Sequence, residues 1–277
     1  MPEPAKLPPV SGGPLSLVLT ARDAAACARP VLLGWGNFLR GRGKPYEVLF
    51  VDDGSADGTA DLAEGLAGQV GPLKVLRHAA PRGPGAALRS GLAAVTLPLV
   101  ACAPCDPDYT PAALAQMMAE IDKVHLQTGF RAGRRVPWPW RLVGLPVRGL
   151  AWLAFGELPR RLPGWLGWRG HLAAWLARAF FGVRLRDVGC PMCLLRRDIL
   201  ARIPIQSDGA FAFTELIAKA NFLGCLLAEE VPLPVRAPLG PAGRPRRRRT
   251  LREAYRVFSR PDFGPTSLPQ APPIPSG

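Results

Sequence analysis

Short apolar runs alternate with helical patterns between residues 15 and 129 of the chain. The runs that predict strands are LSLVLT (15–20), YEVLFVD (46–52), LKVLRH (73–78) and LPLVACAP (97–104). Helices are predicted near residues 24–41, 57–69, 84–95 and 111–121, the last of which starts at Thr110 and Pro111. Because the strands are almost continuously apolar and are separated by helices, the pattern predicts an α/β fold with a mostly parallel central sheet flanked by helices.

The two ends of the chain lack such patterns. Residues 1–14 and 259–277 are rich in Pro, Gly and Ser, a composition that predicts disorder. We therefore place one folded domain at residues 15–258. Nowhere do about 18 uncharged apolar residues run together, so no transmembrane helix is predicted. The N-terminus lacks the basic-then-apolar pattern of a signal peptide, so export is not expected.

Residues 136–182 form a Trp- and Arg-rich insertion, expected to be helical, within this domain. The stretch contains six of the seven tryptophans, and prolines interrupt its apolar runs, so a bilayer span does not fit. Tryptophan interleaved with arginine on amphipathic helices is typical of segments that lie in the membrane interface. The alternatives are a helical subdomain that packs its tryptophans inward and an oligomer contact.

The charge balance of the chain favours an anionic partner. The formal net charge is +14 and the pI is about 10.5. Nucleic acid, an acidic membrane surface and a phosphorylated substrate would all satisfy it. Nucleic acid is not expected, because no recognised binding module accompanies the basic residues. Together with the insertion, the charge predicts a cytoplasmic protein that associates peripherally with an anionic membrane surface.

Four of the six cysteines form two C-x-x-C pairs, Cys102/Cys105 and Cys190/Cys193. A zinc site would use such pairs. However, Cys102 and Cys105 follow a predicted strand, on which residues three positions apart face opposite sides. The second pair lies far away in sequence around a proline. Small buried hydrophobic side chains in a reducing compartment are therefore the favoured interpretation.

A first acidic motif, VDDGSADGT (51–59), ends the second predicted strand. Asp52 and Asp53 lie where parallel sheets bind their ligands, beyond the carboxyl end of the strand. A strand, a turn and a helix capped by Ser55 or Asp57 would also explain the motif, but would leave two adjacent carboxylates unexplained. No G-x-G-x-x-G follows the first strand, so a dinucleotide site is not indicated.

A second acidic motif, CDPDYTP (105–111), ends the fourth predicted strand. In an extended segment Asp106 and Asp108 project from the same side, and Thr110 lies on that side too. Two carboxylates together with substrate phosphates commonly hold Mg²⁺ or Mn²⁺. Alone, the pattern more often belongs to a simple loop. Its position near the end of the second strand favours a divalent-cation site.

These motifs, taken in order, resemble those of family 2 glycosyltransferases with the GT-A fold. The resemblance covers roughly residues 15–236, and within the family it is strongest toward dolichyl-phosphate mannose synthases and bacterial polyprenyl-phosphate glycosyltransferases. The segments that carry it are VDDGSADGT, PRGPGAALRSG (81–91), CDPDYTP, TGFRAGRR (128–135), RLRDVGCPMCLLRRDIL (184–200) and FAFTELIAKANFLGCLLAEEVPLPV (211–235).

The resemblance implies an inverting glycosyltransferase that moves a sugar from a UDP- or GDP-linked donor to an acceptor, with a polyprenyl or dolichyl phosphate as the expected acceptor. A lipid phosphate is already an anionic nucleophile, so no general base is required. The residues that it implies are Ala21, Asp23, Asp52 and Asp53 for the nucleotide, Asp106, Asp108 and Thr110 for Mg²⁺ or Mn²⁺, Arg131, Arg236 and Arg244 for phosphate, and Asp108, Arg131 and Glu215 for catalysis.

Several positions leave these roles open. Arg131 is either a phosphate ligand or a solvated arginine, and Glu215 either positions an active-site arginine or faces solvent. The chain has Ala24 where relatives have a nucleotide-contacting Glu, Thr110 where the lipid-phosphate enzymes often have a Gln, and an altered loop at 236–249. Two other functions are therefore considered: transfer to a soluble or protein acceptor, with 136–182 as a packed lid, and a non-catalytic scaffold subunit.

Overall fold

The computed structural model describes residues 7–131, 185, 187–233 and 247–264. Within them, one seven-stranded sheet has the order β3-β2-β1-β4-β6-β5-β7. Its strands are β1 Leu15–Ala21, β2 Tyr46–Asp52, β3 Leu73–Arg77, β4 Leu99–Pro104, β5 Leu126–Arg131, β6 Cys193–Arg196 and β7 Leu227–Leu233. Strand β6 is antiparallel to β4 and β5, and the other neighbours pair in parallel. The predicted mostly parallel sheet is confirmed.

Helices connect most of these strands. They are α1 Ala25–Gly41, α2 Thr59–Gly65, α3 Ala67–Val70, α4 Pro84–Ala94, α5 Pro111–Glu120, α6 Phe211–Phe222 and α7 Arg247–Ser259. The single helix predicted at 57–69 is two short helices, in a stretch where Gly65 and Gly68 weaken helix formation. Helix α5 begins where predicted, because the Thr110 side chain caps it by accepting the Ala113 amide at 3.4 Å.

The sheet is covered on both faces because its side chains alternate between two apolar cores. In β1, Leu17 and Leu19 point into the core that α1, α2 and α5 cover, whereas Val18 points into the core that α4 and α6 cover. Trp35 of α1 is fully buried in the first core, and Leu216 of α6 is fully buried in the second. This packing fixes the parallel strands so that their carboxyl ends reach one edge of the sheet.

The cysteines of the C-x-x-C pairs belong to these cores. Cys102 packs in the α4/α6 core and Cys105 in the α1/α5 core, so the predicted opposite facing is confirmed. Cys193 lies directly opposite Cys102 on β6. The six thiols are free. Among the described residues, no cluster of three or more His, Cys, Asp or Glu side chains is arranged to hold a metal.

Hydrogen bonds connect part of the N-terminal segment to the domain, while the boundary at residue 15 stays a prediction. The Asp122 carboxylate binds Val10 and Ser11 of this segment. The amides of Val10 and Ser11 donate to its Oδ1 at 2.5 and 2.9 Å, and the Ser11 hydroxyl donates to its Oδ2 at 2.6 Å. Specific hydrogen bonds thus attach a segment whose composition alone predicts disorder.

Similar contacts occur at the C-terminal side. The Gln206 side chain donates to the Arg260 carbonyl at 3.1 Å and accepts the Asp262 amide at 3.0 Å. Arg260 and Asp262 therefore contact the domain, and the predicted boundary at residue 258 stays a prediction. Here too, one polar side chain makes contacts that composition does not reveal.

Part of the sequence prediction falls outside the described residues. This part comprises the Trp- and Arg-rich insertion at 136–182, Arg236 and Arg244. In the portion of the chain that the structure describes, no helix is both long enough and apolar enough to cross a bilayer.

Candidate active site

The candidate site lies at the carboxyl edge of the sheet. Strand β1 ends level with β2 and β4, since Ala21 pairs with Asp52 and Thr20 pairs with Pro104. Beyond these pairs, the Ala21 carbonyl accepts the Asp53 amide at 2.9 Å. The turn after β2 and the loop after β4 therefore lie on either side of the same strand end. This is the meeting of the two acidic motifs that the sequence predicts.

Asp52 closes the turn that follows β2. Its carboxylate accepts the Ser55 amide at 3.0 Å and also accepts the Ser55 hydroxyl. Between them, Gly54 has a φ of +66°, and a Cβ at this position would lie 2.6 Å from the Ala80 carbonyl carbon. Glycine is therefore required for the turn. The structure shows how Asp52 is held, and its contact with a nucleotide stays a prediction.

Asp53 is engaged by the protein itself. Its carboxylate accepts the amides of Arg82 and Gly83 at 2.9 and 2.8 Å. His78 Nδ1 lies 2.9 Å from the same carboxylate, and His78 Nε2 lies 2.9 Å from the Ser90 hydroxyl. Asp53 is only 3% exposed. It therefore positions the loop before α4, a role that the sequence did not indicate, and its predicted nucleotide contact stays untested.

Asp23 follows β1 and forms hydrogen bonds with the turn that Asp52 closes. Its φ of +48° lies in the left-handed region, which Asp tolerates better than most residues. The Asp23 amide donates to the Ser55 hydroxyl at 2.9 Å, and its carboxylate accepts the Ala56 amide at 3.1 Å. The Asp23 carboxylate is 41% exposed. Of the residues predicted for the nucleotide, Ala21, Asp52 and Asp53 are buried, so Asp23 offers the most accessible carboxylate.

Ala24, at the position where the resemblance implies a glutamate, is held by its backbone. Ala24 precedes α1, and its amide donates to the Thr59 hydroxyl at 2.9 Å. The next amide, of Ala25, donates to the Asp57 carboxylate at 2.9 Å. Burial opposes the ionised form of Asp57, but hydrogen bonds from Thr59 and Ala25 hold its pKa below the ordinary value. Asp57, predicted as a possible cap of α2, therefore also satisfies the start of α1.

Asp106 and Asp108 form the acidic loop after β4. The Asp108 amide donates to Asp106 Oδ1 at 2.8 Å, which holds the two residues in one tight turn. Burial raises the pKa of Asp106, the hydrogen bond from Asp108 lowers it, and the negative charge of Asp108 raises it again. Two half-buried carboxylates that repel each other are a donor set suited to a hard divalent cation.

The donor set fits Mg²⁺ or Mn²⁺ held partly by a substrate phosphate. Asp106 and Asp108 lie partly buried in one turn at this edge, and two carboxylates plus phosphate oxygens are a common way to hold Mg²⁺. Thr110 was predicted as a third ligand. Its hydroxyl caps α5, which accounts for its position, and a bond to metal stays a prediction.

Arg131 forms a buried ion pair with Asp187. Its Nε and Nη2 donate to the two carboxylate oxygens at 2.6 and 2.8 Å, and Nη2 also lies 3.2 Å from the Gly189 carbonyl. Burial opposes the charged guanidinium, but the hydrogen bonds and the charge of Asp187 raise the pKa of Arg131. The alternative of a solvated arginine is therefore wrong, and the role in phosphate binding stays a prediction.

Asp187 is a site residue that the sequence interpretation missed. It is fully buried, and its amide donates to the Glu229 carboxylate at 2.6 Å. A signal for it existed, since Asp187 belongs to the family-like segment at 184–200. Its importance depends on contact with Arg131, which lies 56 positions earlier in the chain. Such a contact follows from the fold and not from local pattern.

Tyr109 lies between the acidic loop and this ion pair. Its phenol is buried, and burial is the main reason that its pKa is raised. The nearby Cys190, Asp106 and Asp187 raise the pKa further, while Arg131 lowers it. Tyr109 therefore stays protonated at neutral pH. Its surroundings show that the acidic loop and the Arg131–Asp187 pair belong to one site.

Glu215 contacts the loop at 206–209 and a lysine of its own helix. Its carboxylate accepts the amides of Gln206 and Ser207 at 2.8 and 2.9 Å and pairs with Lys219 Nζ at 2.7 Å. The side chain is fully buried, so exposure to solvent is wrong, and its observed cationic partner is a lysine and not an arginine. In the structure Glu215 stabilises the loop at 206–209, and its catalytic role stays a prediction.

The loop at 206–209 contacts the start of α4, next to the site. The Asp208 carbonyl accepts the amides of Gly85 and Ala86 at 2.8 and 3.1 Å, which are orphan donors of the first turn of α4. A Cβ on Gly85 would lie 2.4 Å from the Ser207 carbonyl, so the loop and the helix start are in direct contact. Since α4 follows Gly83, which Asp53 holds, the loop at 206–209 fixes the same helix end.

The sequence of the chain matches a known protein family. The model of glycosyl transferase family 2 matches residues 35–203, which is more than half of the 277-residue chain. A dodecaprenyl-phosphate galacturonate synthase from Rhizobium johnstonii is 24% identical over 166 residues, which are 59% of this chain and 42% of that protein. An uncharacterized glycosyltransferase from Mycobacterium tuberculosis is 28% identical over 187 residues, 66% of this chain and 71% of its own length. The chain thus spans less than half of the Rhizobium protein.

Solved structures share the fold. Glucosyl-3-phosphoglycerate synthase from M. tuberculosis has a TM-score of 0.60 at 20% identity and covers 91% of this chain and 83% of its own. Mannosyl-3-phosphoglycerate synthase from Rubrobacter xylanophilus has a TM-score of 0.60 at 16% identity and covers 94% of this chain and 79% of its own. These likenesses confirm the predicted GT-A fold. Because the family model covers more than half of the sequence on this fold, the chain belongs to glycosyl transferase family 2.

Proposed function

We propose that the chain transfers a sugar, with inversion, from a nucleoside-diphosphate sugar to an acceptor that carries a phosphate. The observation that supports this most is the pair of half-buried carboxylates, Asp106 and Asp108, beside the Asp52 turn at the carboxyl edge of the sheet. This is the place where parallel sheets bind ligands. A structure similar in fold, at 22% identity and a TM-score of 0.60, contains Mn²⁺, UDP and glucosyl-3-phosphoglycerate.

The nucleotide would bind along the end of β1. Asp23 has the accessible carboxylate there, and Asp52 and Ser55 form the adjoining turn. Hydrogen-bond acceptors at such strand ends suit the ribose and the base of a nucleotide. UDP and GDP are both compatible with this arrangement.

Asp106 and Asp108 would hold Mg²⁺ or Mn²⁺ against the diphosphate. When bound, the cation supplies charge stabilisation for the leaving nucleoside diphosphate. The residues of the chain then orient the donor and exclude water. Tyr109 is buried, and the charges of Asp106 and of the Arg131–Asp187 pair both affect its pKa. If Arg131 also contacts phosphate, it does so with an orientation that Asp187 has already fixed.

The proposed acceptor is a polyprenyl phosphate. The Rhizobium relative is named for dodecaprenyl phosphate, and the net charge of +14 suits an anionic acceptor. A phosphate nucleophile is ionised at neutral pH, so the reaction needs no general base. We further propose peripheral association with a membrane surface, since a lipid acceptor would be presented there. The intact Asp106–Asp108 pair argues against a non-catalytic scaffold.

Phosphoglycerate is the second candidate acceptor. The glucosyl- and mannosyl-3-phosphoglycerate synthases share the fold and act, as their names state, on a small phosphorylated acceptor. Both candidates carry an anionic phosphate group. They differ in whether the acceptor is lipid or water-soluble, which an assay can separate.

The test is a screen of UDP- and GDP-sugars for release of nucleoside diphosphate, with Mn²⁺ or Mg²⁺ and with polyprenyl phosphate, 3-phosphoglycerate or no acceptor. The expected result is metal-dependent release that polyprenyl phosphate accelerates, with a glycolipid product. Acceleration by 3-phosphoglycerate alone would replace the lipid acceptor by a soluble one. No turnover with any donor, by a folded protein with both metals, would refute the glycosyltransferase activity.

A further inference from the structure

Helix α7 carries one stripe of outward-facing residues. Arg252, Tyr255, Arg256, Ser259 and Arg260 are spaced i, i+3, i+4, i+7 and i+8, which places them on one side of a helix and its C-terminal end. All five side chains are exposed, and Tyr255 is 75% exposed. We call these five residues the α7 stripe.

The opposite face of α7 is fixed to the domain. The Glu253 carboxylate accepts the Gly209 amide at 3.0 Å, and Val257 is buried. Val257 lines a cavity of about 220 Å³ together with Phe222 at the end of α6 and Phe263 after α7. Because these contacts bury one face of α7, the α7 stripe on the other face points toward solvent.

The charge of the stripe is of one sign. It contains three arginines and no acidic residue, and the acidic residue of α7, Glu253, lies on the buried face. The α7 stripe is therefore a positively charged surface that an anionic partner would complement.

An exposed aromatic side chain accompanies this charge. Tyr255 stands within the arginine row and is 75% exposed. A tyrosine ring can enter the headgroup layer of a membrane while neighbouring arginines bind lipid phosphates. Nucleic acid is the less favoured partner, because no recognised nucleic-acid-binding module accompanies these residues.

We propose that the α7 stripe is a docking surface for anionic lipid headgroups. This inference rests on the proposed membrane association and names a surface for it outside the Trp-rich insertion. None of the five stripe residues contributes a side chain to the candidate active site described above. The stripe would hold the domain on a bilayer without a spanning helix, by attraction to lipid phosphates together with the apolar contribution of Tyr255.

The test measures vesicle binding by cosedimentation at low salt. Phosphatidylcholine vesicles with phosphatidylserine are compared with phosphatidylcholine alone. The stripe variant combines Arg252→Gln, Arg256→Gln and Arg260→Gln. The matched control combines Arg29→Gln, Lys44→Gln and Lys74→Gln, which removes the same charge from exposed residues on α1, the loop after it and β3. Thermal melting checks that both variants are folded.

We expect the wild-type protein to bind the anionic vesicles and the stripe variant to bind them about 100-fold more weakly, as three surface arginines contribute to partitioning. The control should stay within about threefold of wild type, since its charges lie elsewhere. Tyr255→Ser alone should weaken the part of the binding that survives added salt, because that part is not electrostatic.

Two outcomes would overturn the proposal. One is an equal loss of vesicle binding in the stripe variant and the control, which would make net charge the cause. The other is a wild-type preference for a single- or double-stranded oligonucleotide over the anionic vesicles, which would assign the stripe to nucleic acid. Donor turnover without lipid, measured in the same samples, is expected to be equal in wild type and stripe variant. Lost vesicle binding with normal turnover therefore bears on the stripe alone, whereas Asp108→Asn tests the transfer reaction alone.

Discussion

Replacing Asp187 with Asn should destabilise the domain, because Arg131 would lose the carboxylate that compensates its charge. Asn has the size of Asp, and the bond from the Asp187 amide to Glu229 involves the backbone and would remain. What is lost is the negative charge that compensates the guanidinium. The Arg131 side chain is 21% exposed and the Asp187 side chain is 1% exposed, so water can replace little of the lost interaction.

The size of the effect follows from that burial. Removing one partner of a buried ion pair costs about 3–5 kcal/mol, because an uncompensated charge stays behind. Arg131 keeps its hydrogen bond to the Gly189 carbonyl at 3.2 Å and some exposure, so the lower end applies. We expect a loss of about 3 kcal/mol in the free energy of unfolding. For a domain of this length, that lowers Tm by about 6–12 °C.

Differential scanning calorimetry of three variants would test the reasoning. Arg131→Met combined with Asp187→Asn removes both charges and should recover most of the lost stability, since nothing charged is left unpaired. The control is Arg77→Gln, which breaks a surface ion pair with Asp61 and Glu64 whose arginine is 42% exposed. Its Tm should stay close to that of wild type.

Two results would refute this account. An unchanged Tm for Asp187→Asn would mean that the ion pair contributes nothing to stability. An equal loss in the single and the double variant would place the effect in other contacts of Asp187 and not in the charge of Arg131.

Three further predictions concern the site. Asp106→Asn or Asp108→Asn should abolish metal-dependent release of nucleoside diphosphate while Tm stays near wild type, and normal turnover with added Mn²⁺ or Mg²⁺ would remove the pair from the metal site. Asp52→Ala should weaken binding of the free nucleoside diphosphate by about 1–3 kcal/mol in calorimetry, and unchanged affinity would leave Asp52 a turn residue. A hydrogen bond from the Cys105 thiol lowers the pKa of Cys27 to about 7, so its alkylation rate should rise as pH passes that value, because the thiolate is the nucleophile. A rate profile centred at about pH 8.5, the ordinary thiol value, would contradict this.

The sheet could be predicted from the sequence because its strands are encoded locally. LSLVLT and YEVLFVD are apolar on both faces, and such runs fit only a sheet that helices cover on both sides. Strand ends in a parallel sheet share one edge, so the meeting of Asp52 and Asp106 also followed from pattern. The opposite facing of Cys102 and Cys105 followed from the two-residue period of a strand.

The partners of individual side chains could not be predicted in this way. The pairing of Asp53 with His78 and with the amide of Gly83 depends on how the loop before α4 folds back onto the β2 turn. Glu215 lies on a helix whose sequence resembles the family. It is buried as an ion pair with Lys219, which lies one turn further along the same helix. Local composition carries no information about such tertiary contacts.

The position of β6 has a consequence for how the chain completes its sheet. Strands β4 and β5 are consecutive in sequence but do not touch, because β6 pairs antiparallel with both of them. The first four strands can pair with one another through short connections. Strand β5 can join the sheet only after residues 193–196 have formed β6. A chain that stopped before residue 193 would leave β4 and β5 with facing, unpaired edges.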